Sequence, residues 1–260
     1  MQIAPMTPSR RTKDILLYKT YAELKAEAQR NFLGFLWWVI EPILFMLVFY
    51  FVFGKLLGRR PEAFIPFLLV GLVVWLWGQA TIAQGAAAIT ANRGLLNQAF
   101  VPKALFPTVV FLKNTFKFLF ALLMLLIFLI AYGFEASPIW LEAIPVLVVG
   151  GLFILGSAYL AAALTPFFPD LQVLIDNGLR VVFFMSGIFY EIDTLNTGYT
   201  AVLQANPAAV LIDSLRTVLL SGEHADWWRL SGVLAAALCI GGAGYVIMRV
   251  NESRYAKIAY

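Results

Sequence analysis

Residues 118–134 read FLFALLMLLIFLIAYGF and contain no charged side chain. A helix needs about 20 mostly apolar residues to cross the hydrocarbon core of a bilayer. This run meets that requirement together with the apolar residues just before it, and similar runs recur on both sides. The sequence therefore predicts six membrane spans, at residues 35–53, 64–90, 105–134, 143–168, 171–190 and 230–248.

The composition points the same way. Of the 260 residues, 61% are hydrophobic and 13% are charged, whereas a soluble domain carries about a quarter charged residues. A soluble core of this size cannot hide so much apolar surface, but lipid can solvate it. The runs do not alternate as barrel strands do, and helices satisfy their own backbone hydrogen bonds inside lipid. The predicted fold class is an all-α integral membrane protein.

Basic residues are unevenly distributed between the two sides of the membrane. Clusters precede span one, separate spans two and three, and follow span six. Cytoplasmic segments are enriched in Lys and Arg, so both termini are predicted to be cytoplasmic. Residues 1–34 lack the short apolar core of a secretory signal peptide, so we expect span one to remain in the mature protein. The chain is interpreted as one transmembrane domain, 1–260, with a cytoplasmic segment at 1–34, a six-span region at 35–250 and a tail at 251–260.

Two segments are neither spans nor plain loops. Residues 14–30 place Leu17, Tyr21, Leu24 and Ala28 on one helical face, which predicts an amphipathic helix at the membrane surface rather than a soluble packing helix. Residues 191–229 contain a fairly apolar piece that Asn206-Pro207 interrupts and that carries Asp213 and Arg216. Proline and two charges argue against a seventh span. Short re-entrant helices between spans five and six are predicted instead.

Five charged residues fall inside the predicted spans. Asp176 and Arg180 are four residues apart, which predicts an ion pair on one helix face. Lys113 and Lys117 repel each other at the same spacing, so we expect both to reach cytoplasmic water. Glu41 precedes Pro42 in span one; it either lines a pathway, lies close enough to the interface to be hydrated, or bonds to a neighbouring helix, and a buried structural partner is slightly favoured.

Motifs for chemistry are missing from the sequence. There is no phosphate-binding loop, no zinc-protease motif, no nucleophile elbow and no contiguous basic stretch of the kind that binds nucleic acid. The single cysteine, Cys239, excludes an internal disulfide, and the single histidine, His224, lies in a polar segment. The ionisable residues are scattered along the chain. We therefore expect neither an enzyme active site nor a metal site.

Aromatic residues are abundant, and span one is especially rich in them. Lipid-facing and interfacial positions account for most aromatic residues in membrane proteins. Aromatic rings also form low-specificity surfaces for sugars, because their apolar faces match the C–H faces of pyranose rings. The density in span one is compatible with a sugar path. The residues that carry it are Trp37, Trp38, Phe45, Phe49, Tyr50, Phe51 and Phe53.

Three stretches in this order resemble a known family. They are NFLGFLWWVIEP at 31–42, NRGLLNQAFVP at 92–102, and Asn206-Pro207 followed by Arg216. From about Asp14 onward, the chain resembles the permease subunits of ABC transporters that export polysaccharides such as O-antigen, capsule and teichoic acid. It departs from them at Phe168-Pro169-Asp170-Leu171, where the family often has a basic residue. Glu41-Pro42 resembles capsule exporters and the region 100–107 resembles O-antigen exporters.

The resemblance implies a mechanism and a set of site residues. Two copies of this chain would assemble with two copies of a separate ATPase subunit, which would hold ATP and Mg²⁺, while this chain would need no cofactor. A lipid-linked polysaccharide, most directly O-antigen, would cross the bacterial inner membrane between the two permeases. The residues implied are Trp37, Trp38, Phe45, Phe49, Phe183, Phe184 and Tyr190 for the channel, Asn92, Arg93, Leu95, Leu96, Asn97 and Phe100 for ATPase docking, and Asn206, Pro207 and Arg216 for the outer gate.

Three other classes of protein share some of these features. An ABC permease for a smaller lipid or drug has a similar build; the aromatic density of span one and the three motifs argue against it, through the resemblance alone. A secondary transporter would tend to show internal repeats, and no convincing repeat relates residues 35–134 to 139–248. A membrane-embedded glycosyl- or acyltransferase would need a set of acid and base groups, and none stands out.

Overall fold

A computed structural model describes residues 8–30, 34–56, 64–92, 94, 102–192, 200–252 and 254–255. Within these residues all regular structure is helical, as the sequence predicts. We number the α-helices in chain order. They are α1 (Pro8–Arg30), α2 (Trp37–Phe49), α3 (Phe64–Ala91), α4 (Leu105–Tyr132), α5 (Ala143–Leu164), α6 (Asp170–Met185), α7 (Thr200–Gln204), α8 (Pro207–Arg216) and α9 (Trp227–Val250).

Shorter helical pieces extend several of these elements. A 3₁₀ turn at Gly34–Leu36 leads into α2, and a π-helix at Tyr50–Leu56 continues it. A second 3₁₀ helix, Pro138–Glu142, leads into α5, and a second π-helix, Thr217–Ser221, follows α8. Because the side chain of Asn206 accepts a hydrogen bond from the backbone of Ala208, α8 has a capped N-terminus.

Among the described residues, four helical segments are long and apolar enough to cross a membrane: Phe64–Ala91, Leu105–Tyr132, Pro138–Leu164 and Trp227–Val250. They correspond to predicted spans two, three, four and six, and they fit a multi-pass membrane protein. The segment for span one is a shorter apolar helix, Trp37–Val52.

The helix at predicted span five, α6, is shorter than expected. Its 16 residues extend about 24 Å at 1.5 Å per residue, which is less than the ~30 Å of a hydrocarbon core. The helix ends at Met185 because the chain reverses at Gly187, whose φ of 64° lies in the left-handed region that favours glycine. The predicted end at residue 190 was too late for this reason.

The tightest packing joins α5 to α9. A Cβ atom added to Gly244 would lie 2.5 Å from the backbone nitrogen of Leu160, and one added to Gly156 would lie 2.9 Å from the carbonyl oxygen of Ala237. Small residues of this kind allow helix backbones to approach closely inside a membrane. Helix α3 packs against both α4 and α5 and contributes much of the buried core.

Helix α1 lies along α4 and turns its charged side toward it. Lys113 of α4 forms ion pairs with Glu23 and Glu27 at 3.7 and 3.6 Å, and Lys117 donates to Glu27. The prediction that both lysines reach cytoplasmic water was therefore wrong. Sequence separation hid the partners, since the acids lie on a different helix. The opposite side of α1 exposes Leu17, Tyr18 and Tyr21, and the placement of this helix at the membrane surface stays a prediction.

Two further expectations about charged residues were wrong. Asp176 accepts hydrogen bonds from Gln172, one helical turn earlier, while Arg180 is exposed and makes no ion pair with any described residue. Glu41 is also exposed, and no described residue acts as its hydrogen-bond or ion-pair partner. The slightly favoured structural partner for Glu41 is therefore not present among the described residues.

Candidate functional site

Four of the residues proposed for the channel lie together where α2 approaches the C-terminal end of α6. The ring centroid of Phe49 is 5.7 Å from that of Phe183, and Phe183 is 5.2 Å from Phe184. Tyr190 joins them through the ring of Phe189, 5.5 Å away. We call these four residues, together with Phe189 and Trp75, the Phe183 cluster. Tilted and edge-on ring arrangements of this kind are favourable beyond the apolar area they bury.

Phe189 and Trp75 were not among the residues expected in the channel. Phe189 contacts Phe49 at 5.4 Å and both Phe183 and Phe184 at 5.7 Å, so it is the centre of the cluster. The turn at Gly187 brings it back against α6. A sequence signal existed in the aromatic pair Phe189-Tyr190 directly after a glycine, but the continuous span predicted to residue 190 concealed the turn.

The other three residues proposed for the channel form a second site. Trp37, Trp38 and Phe45 lie on the first turns of α2 and line a cavity of about 360 Å³ between α1, α2 and α4. We call it the Trp38 groove. Its lining is completed by Glu27, Glu41, Leu44 and Lys117. The Phe45 ring stacks on Phe49 at 6.4 Å, so a row of aromatic rings connects the Trp38 groove to the Phe183 cluster.

Helix α6 has an exposed face of mixed character. In the chain taken alone it buries no residue completely, although it is strongly amphipathic. Polar Asn177 and charged Arg180 share this face with large apolar side chains. A lipid-facing surface would not carry an unpaired arginine, because an ionisable group in a membrane faces water or protein. The apolar members of the face are Val173, Leu174, Val181 and Phe184.

Asn206 and Pro207, expected in the outer gate, begin α8 and attach it to the end of α6. Pro207 occupies the first helical position, where its missing N–H costs nothing. The side-chain amide of Asn206 donates to the carbonyl oxygen of Met185 at 3.2 Å and to the hydroxyl of Ser186 at 3.1 Å. One asparagine therefore caps one helix and holds the C-terminus of another.

Arg216, the third residue of this motif, is buried at the opposite end of α8. Its guanidinium donates to the carbonyl oxygens of Phe67, Gly187 and Ile188 over distances of 2.7 to 3.1 Å. It also lies 3.3 Å from the centroid of the Phe67 ring, and a Cβ at Gly71 would clash with it at 2.7 Å. Arg216 thus joins α8, α3 and the turn after α6. All three proposed gate residues therefore belong to α8 or its N-cap. Asn206 and Arg216 bind the C-terminal end of α6 and the turn that follows it.

We call the hydrogen bonds from Arg216 to Phe67, Gly187 and Ile188 the Arg216 clamp. A cavity of about 380 Å³ adjoins it. Arg229 of α9 borders it and pairs with Asp213 of α8 at 3.0 Å, which ties the start of α9 to α8. Tyr190 and Glu191 also line it, so the cavity touches the Phe183 cluster. Its charged residues include both signs, with Glu191 and Asp213 opposite in charge to Arg216 and Arg229.

The proposed ATPase-docking segment lies mostly outside the described residues. This holds for Arg93, Leu95, Leu96, Asn97 and Phe100. Asn92 is described, and its side-chain oxygen accepts a hydrogen bond from Lys19 of α1 at 2.8 Å. The surface helix and the end of α3 are therefore directly connected.

The contact between α1 and α4 is electrostatically favourable. Burial alone would raise the pKa of the Glu27 carboxyl. The hydrogen bond from Lys117 and the positive charges of Lys117 and Lys113 outweigh it, so the pKa lies below its ordinary value. Glu27 is therefore ionised at neutral pH and remains a partner for both lysines.

The arrangement consists of aromatic surfaces and of hydrogen-bonded contacts between helices. Within the residues described above, no three His, Cys, Asp or Glu side chains meet as metal ligands would. The sequence model of the ABC-2 type transporters matches residues 16–220. The chain belongs to the ABC-2 type transporter family. An ABC-2 permease is the transport component of its system, which fits the lack of catalytic motifs in this sequence.

Relatives of this ABC-2 permease match it almost end to end. The O-antigen export system permease protein RfbA of Myxococcus xanthus is 30% identical over 249 residues, covering 94% of this chain and 95% of the relative. RfbA of Klebsiella pneumoniae is 27% identical with the same coverage. The polysialic acid transport protein KpsM of Escherichia coli is 23% identical over 88% of this chain and 90% of its own length.

Proposed function

We propose that this ABC-2 permease forms the membrane channel of an exporter for lipid-linked polysaccharide, most directly O-antigen, in the bacterial inner membrane. The observation that carries the proposal is the near full-length similarity to two O-antigen export permeases. The chain itself supplies no phosphate-binding loop, so a separate ATPase subunit with ATP and Mg²⁺ supplies the energy. The lower similarity to a polysialic acid transporter makes a capsular polymer the second candidate.

A homodimer explains the exposed face of α6. Arg180 and Asn177 are exposed in one chain alone, and both need water or protein around them at membrane depth. A second copy facing α2 and α6 across a water-filled space satisfies this requirement. The polymer passes between the two copies, so spans one and five line the channel.

The row of aromatic rings supports a sugar path. Phe45 and Phe184 are 41% and 58% exposed at its two ends, which leaves ring faces available for a passing chain. Stacking on the C–H faces of pyranoses depends little on which sugar is present. A polymer with a changing sequence of residues can therefore slide along such a surface without being trapped.

The six helical segments complete the proposed topology. With both termini in the cytoplasm, α2 and α6 act as the first and fifth crossings, and α7 and α8 return from the outer side as re-entrant helices. Asn206 and Arg216 hold α8 to the end of α6, so a movement of α6 moves the outer gate. Within a membrane, irregular backbone of this kind is stable only where protein or water surrounds it.

Contact with the ATPase is assigned to α1 and to the segment that begins at Asn92. The hydrogen bond from Lys19 to Asn92 makes them one unit, and the ion pairs of Glu23 and Glu27 connect that unit to α4. Closure of the ATPase subunits would push α1 and α4 together. Rocking of packed helices is a common way to convert such a push into channel opening.

The decisive experiment is export in cells that lack this chain. Surface polysaccharide and internal undecaprenyl-linked polymer are both measured. Loss from the surface with internal accumulation is expected, and analysis of the retained polymer distinguishes O-antigen from capsule. Normal surface polymer without an internal pool would contradict the proposal. Cells with an inactivated ATPase subunit should show the same accumulation.

A further inference from the structure

The Trp38 groove contains polar groups that the aromatic path does not explain. Glu41 projects into it and makes no ion pair or hydrogen bond with any described residue. A smaller cavity of about 60 Å³ opens beside the groove and shares Trp38, Glu41 and Lys117 with it. The two cavities therefore form one site with a wide mouth and a narrow recess.

The recess contains a second unsatisfied acceptor. Asn114 of α4 lines it and is only 3% exposed. Its amide nitrogen donates to Gln84 at 3.3 Å, but its side-chain oxygen has no partner among the described residues. A buried carbonyl without a donor costs free energy. A ligand hydroxyl that reaches the recess would remove that cost.

The site has both kinds of hydrogen-bonding group and an apolar face. Glu41 and Asn114 accept, Lys117 donates, and the rings of Trp37 and Trp38 form the sides. A sugar ring offers hydroxyls that donate and accept around its edge and C–H groups on its face. The volume of about 360 Å³ is within the range of small-ligand sites.

The charges argue against an anionic ligand. The groove is lined by two carboxylates, Glu27 and Glu41, and by one ammonium group, Lys117, which already pairs with Glu27. Lys113 also pairs with Glu27, at 3.6 Å, so both lysines are already engaged with a carboxylate and a phosphate would meet Glu41 without an unpaired cation among the lining residues. An ammonium ligand would find acceptors in Glu41 and Asn114 but would face the positive charge of Lys117. A neutral hydroxylated ring fits all three groups.

We propose that the Trp38 groove is an entry subsite that binds one neutral sugar residue through Glu41, Asn114 and Lys117 before the polymer enters the channel. This assignment rests on the proposed function. It extends that function by giving the aromatic path a defined beginning at the groove between α1, α2 and α4. The aromatic contact between Phe45 and Phe49 then leads from this subsite to the Phe183 cluster.

The test uses the permease with its ATPase subunit in phosphatidylethanolamine–phosphatidylglycerol vesicles. An octyl glucoside with a diazirine next to the sugar is photo-crosslinked, and labelled peptides are mapped by mass spectrometry. Labelling of residues 36–45 is expected, and Glu41→Gln and Asn114→Leu should each reduce it about tenfold, since hydrogen bonds in a partly buried site contribute on that order. Matched controls are Glu135→Gln and Asn177→Leu, two exposed positions outside the groove, which should label like the wild type.

Two comparison probes define the outcomes that overturn the proposal. A diazirine-bearing octyl chain without sugar that labels the groove equally would make it an apolar groove only. Stronger labelling by a diazirine-bearing phosphoethanolamine lipid, lost in Glu41→Gln, would make it a site for a cationic headgroup. Because Glu41→Gln alters an exposed side chain, this variant should fold, and its labelling tests the proposal even if Asn114→Leu does not fold. Unchanged glucoside labelling in Glu41→Gln, with polymer export still dependent on this chain, would remove the subsite and leave the proposed function intact.

Discussion

Helices α5 and α6 are neighbours in sequence but are held in the molecule in opposite ways. Helix α5 meets α9 with backbone against backbone, at distances that leave no room for a Cβ on Gly156 or Gly244. Helix α6 buries no residue completely; hydrogen bonds tie it to α3 through Gln172 in its first turn, and Asn206 and Arg216 tie its C-terminal end and the turn after it to α8. Protein interiors are close-packed and resist deformation. The contrast separates a close-packed scaffold, α5 with α9, from α6, whose exposed face is the wall of the proposed channel.

Breaking the scaffold should have the largest effect. Gly244→Val places a side chain against the backbone of Leu160 and should destabilise the fold by about 3 kcal/mol or more, at the upper end for overpacked sites. Gly242→Val is the matched control, because nothing lies within 4 Å of a Cβ there. Thermal melting of the detergent-solubilised protein, followed by fluorescence-detected size exclusion, measures both. Equal melting temperatures would refute a close-packed α5–α9 contact.

The second largest effect is expected for the Arg216 clamp. Arg216→Lys keeps the charge but cannot reach three carbonyl oxygens at once, so we expect a loss of about 2 kcal/mol together with reduced export. Arg229→Lys changes a partly exposed ion pair with Asp213 and should cost less than about 1 kcal/mol. Melting temperature and surface polymer are measured for both variants. A clamp role is wrong if Arg216→Lys behaves like Arg229→Lys.

The proposed channel wall should show a large loss of function with a small loss of stability. Phe184→Ala removes a ring that is 58% exposed but contacts Phe183 and Phe189, so stability should fall by about 1 kcal/mol while export falls severalfold. Leu238→Ala, an exposed position on α9, should leave both unchanged. Surface polymer per folded protein is the readout. If the two variants export equally well, Phe184 does not line the path.

The smallest effect is expected where α1 meets α4. The pKa of Glu27 is lower in the folded protein than its ordinary value of 4.5, so its pairing contributes stability above that value and loses it as pH falls through the folded pKa. Glu27→Gln should therefore loosen α1 at neutral pH by less than about 1 kcal/mol. The difference from wild type should shrink steadily below pH 4.5. Hydrogen exchange of α1 amides at several pH values measures this, with Glu135→Gln as the control; a difference independent of pH would exclude the ion pairs.

Much of this comparison could be predicted from the sequence, since long apolar runs must be helices in lipid whatever they pack against. The runs behind α3, α4, α5 and α9 were located within a few residues. The predicted pairing of Asp176 with Arg180 failed because Gln172 was an equally close partner on the same helix. The expected solvation of Lys113 and Lys117 failed because Glu23 and Glu27 lie about 90 residues away in sequence. Local spacing contains no information about such contacts.

The candidate site, too, could be predicted from the sequence only in part. The aromatic residues of span one and the Asn206-Pro207 motif were visible as residues, but their grouping was not. Phe189 joined the Phe183 cluster only because the chain turns at Gly187, and Trp37, Trp38 and Phe45 separated from it because they face α1 and α4. The sequence by itself determined that the chain is a helical membrane protein of the ABC-2 type, because hydropathy and motif order do not depend on packing. Tertiary structure alone decided which charges pair, which helix is left exposed and where a ligand can bind, because these depend on side chains that distant segments bring within a few ångströms.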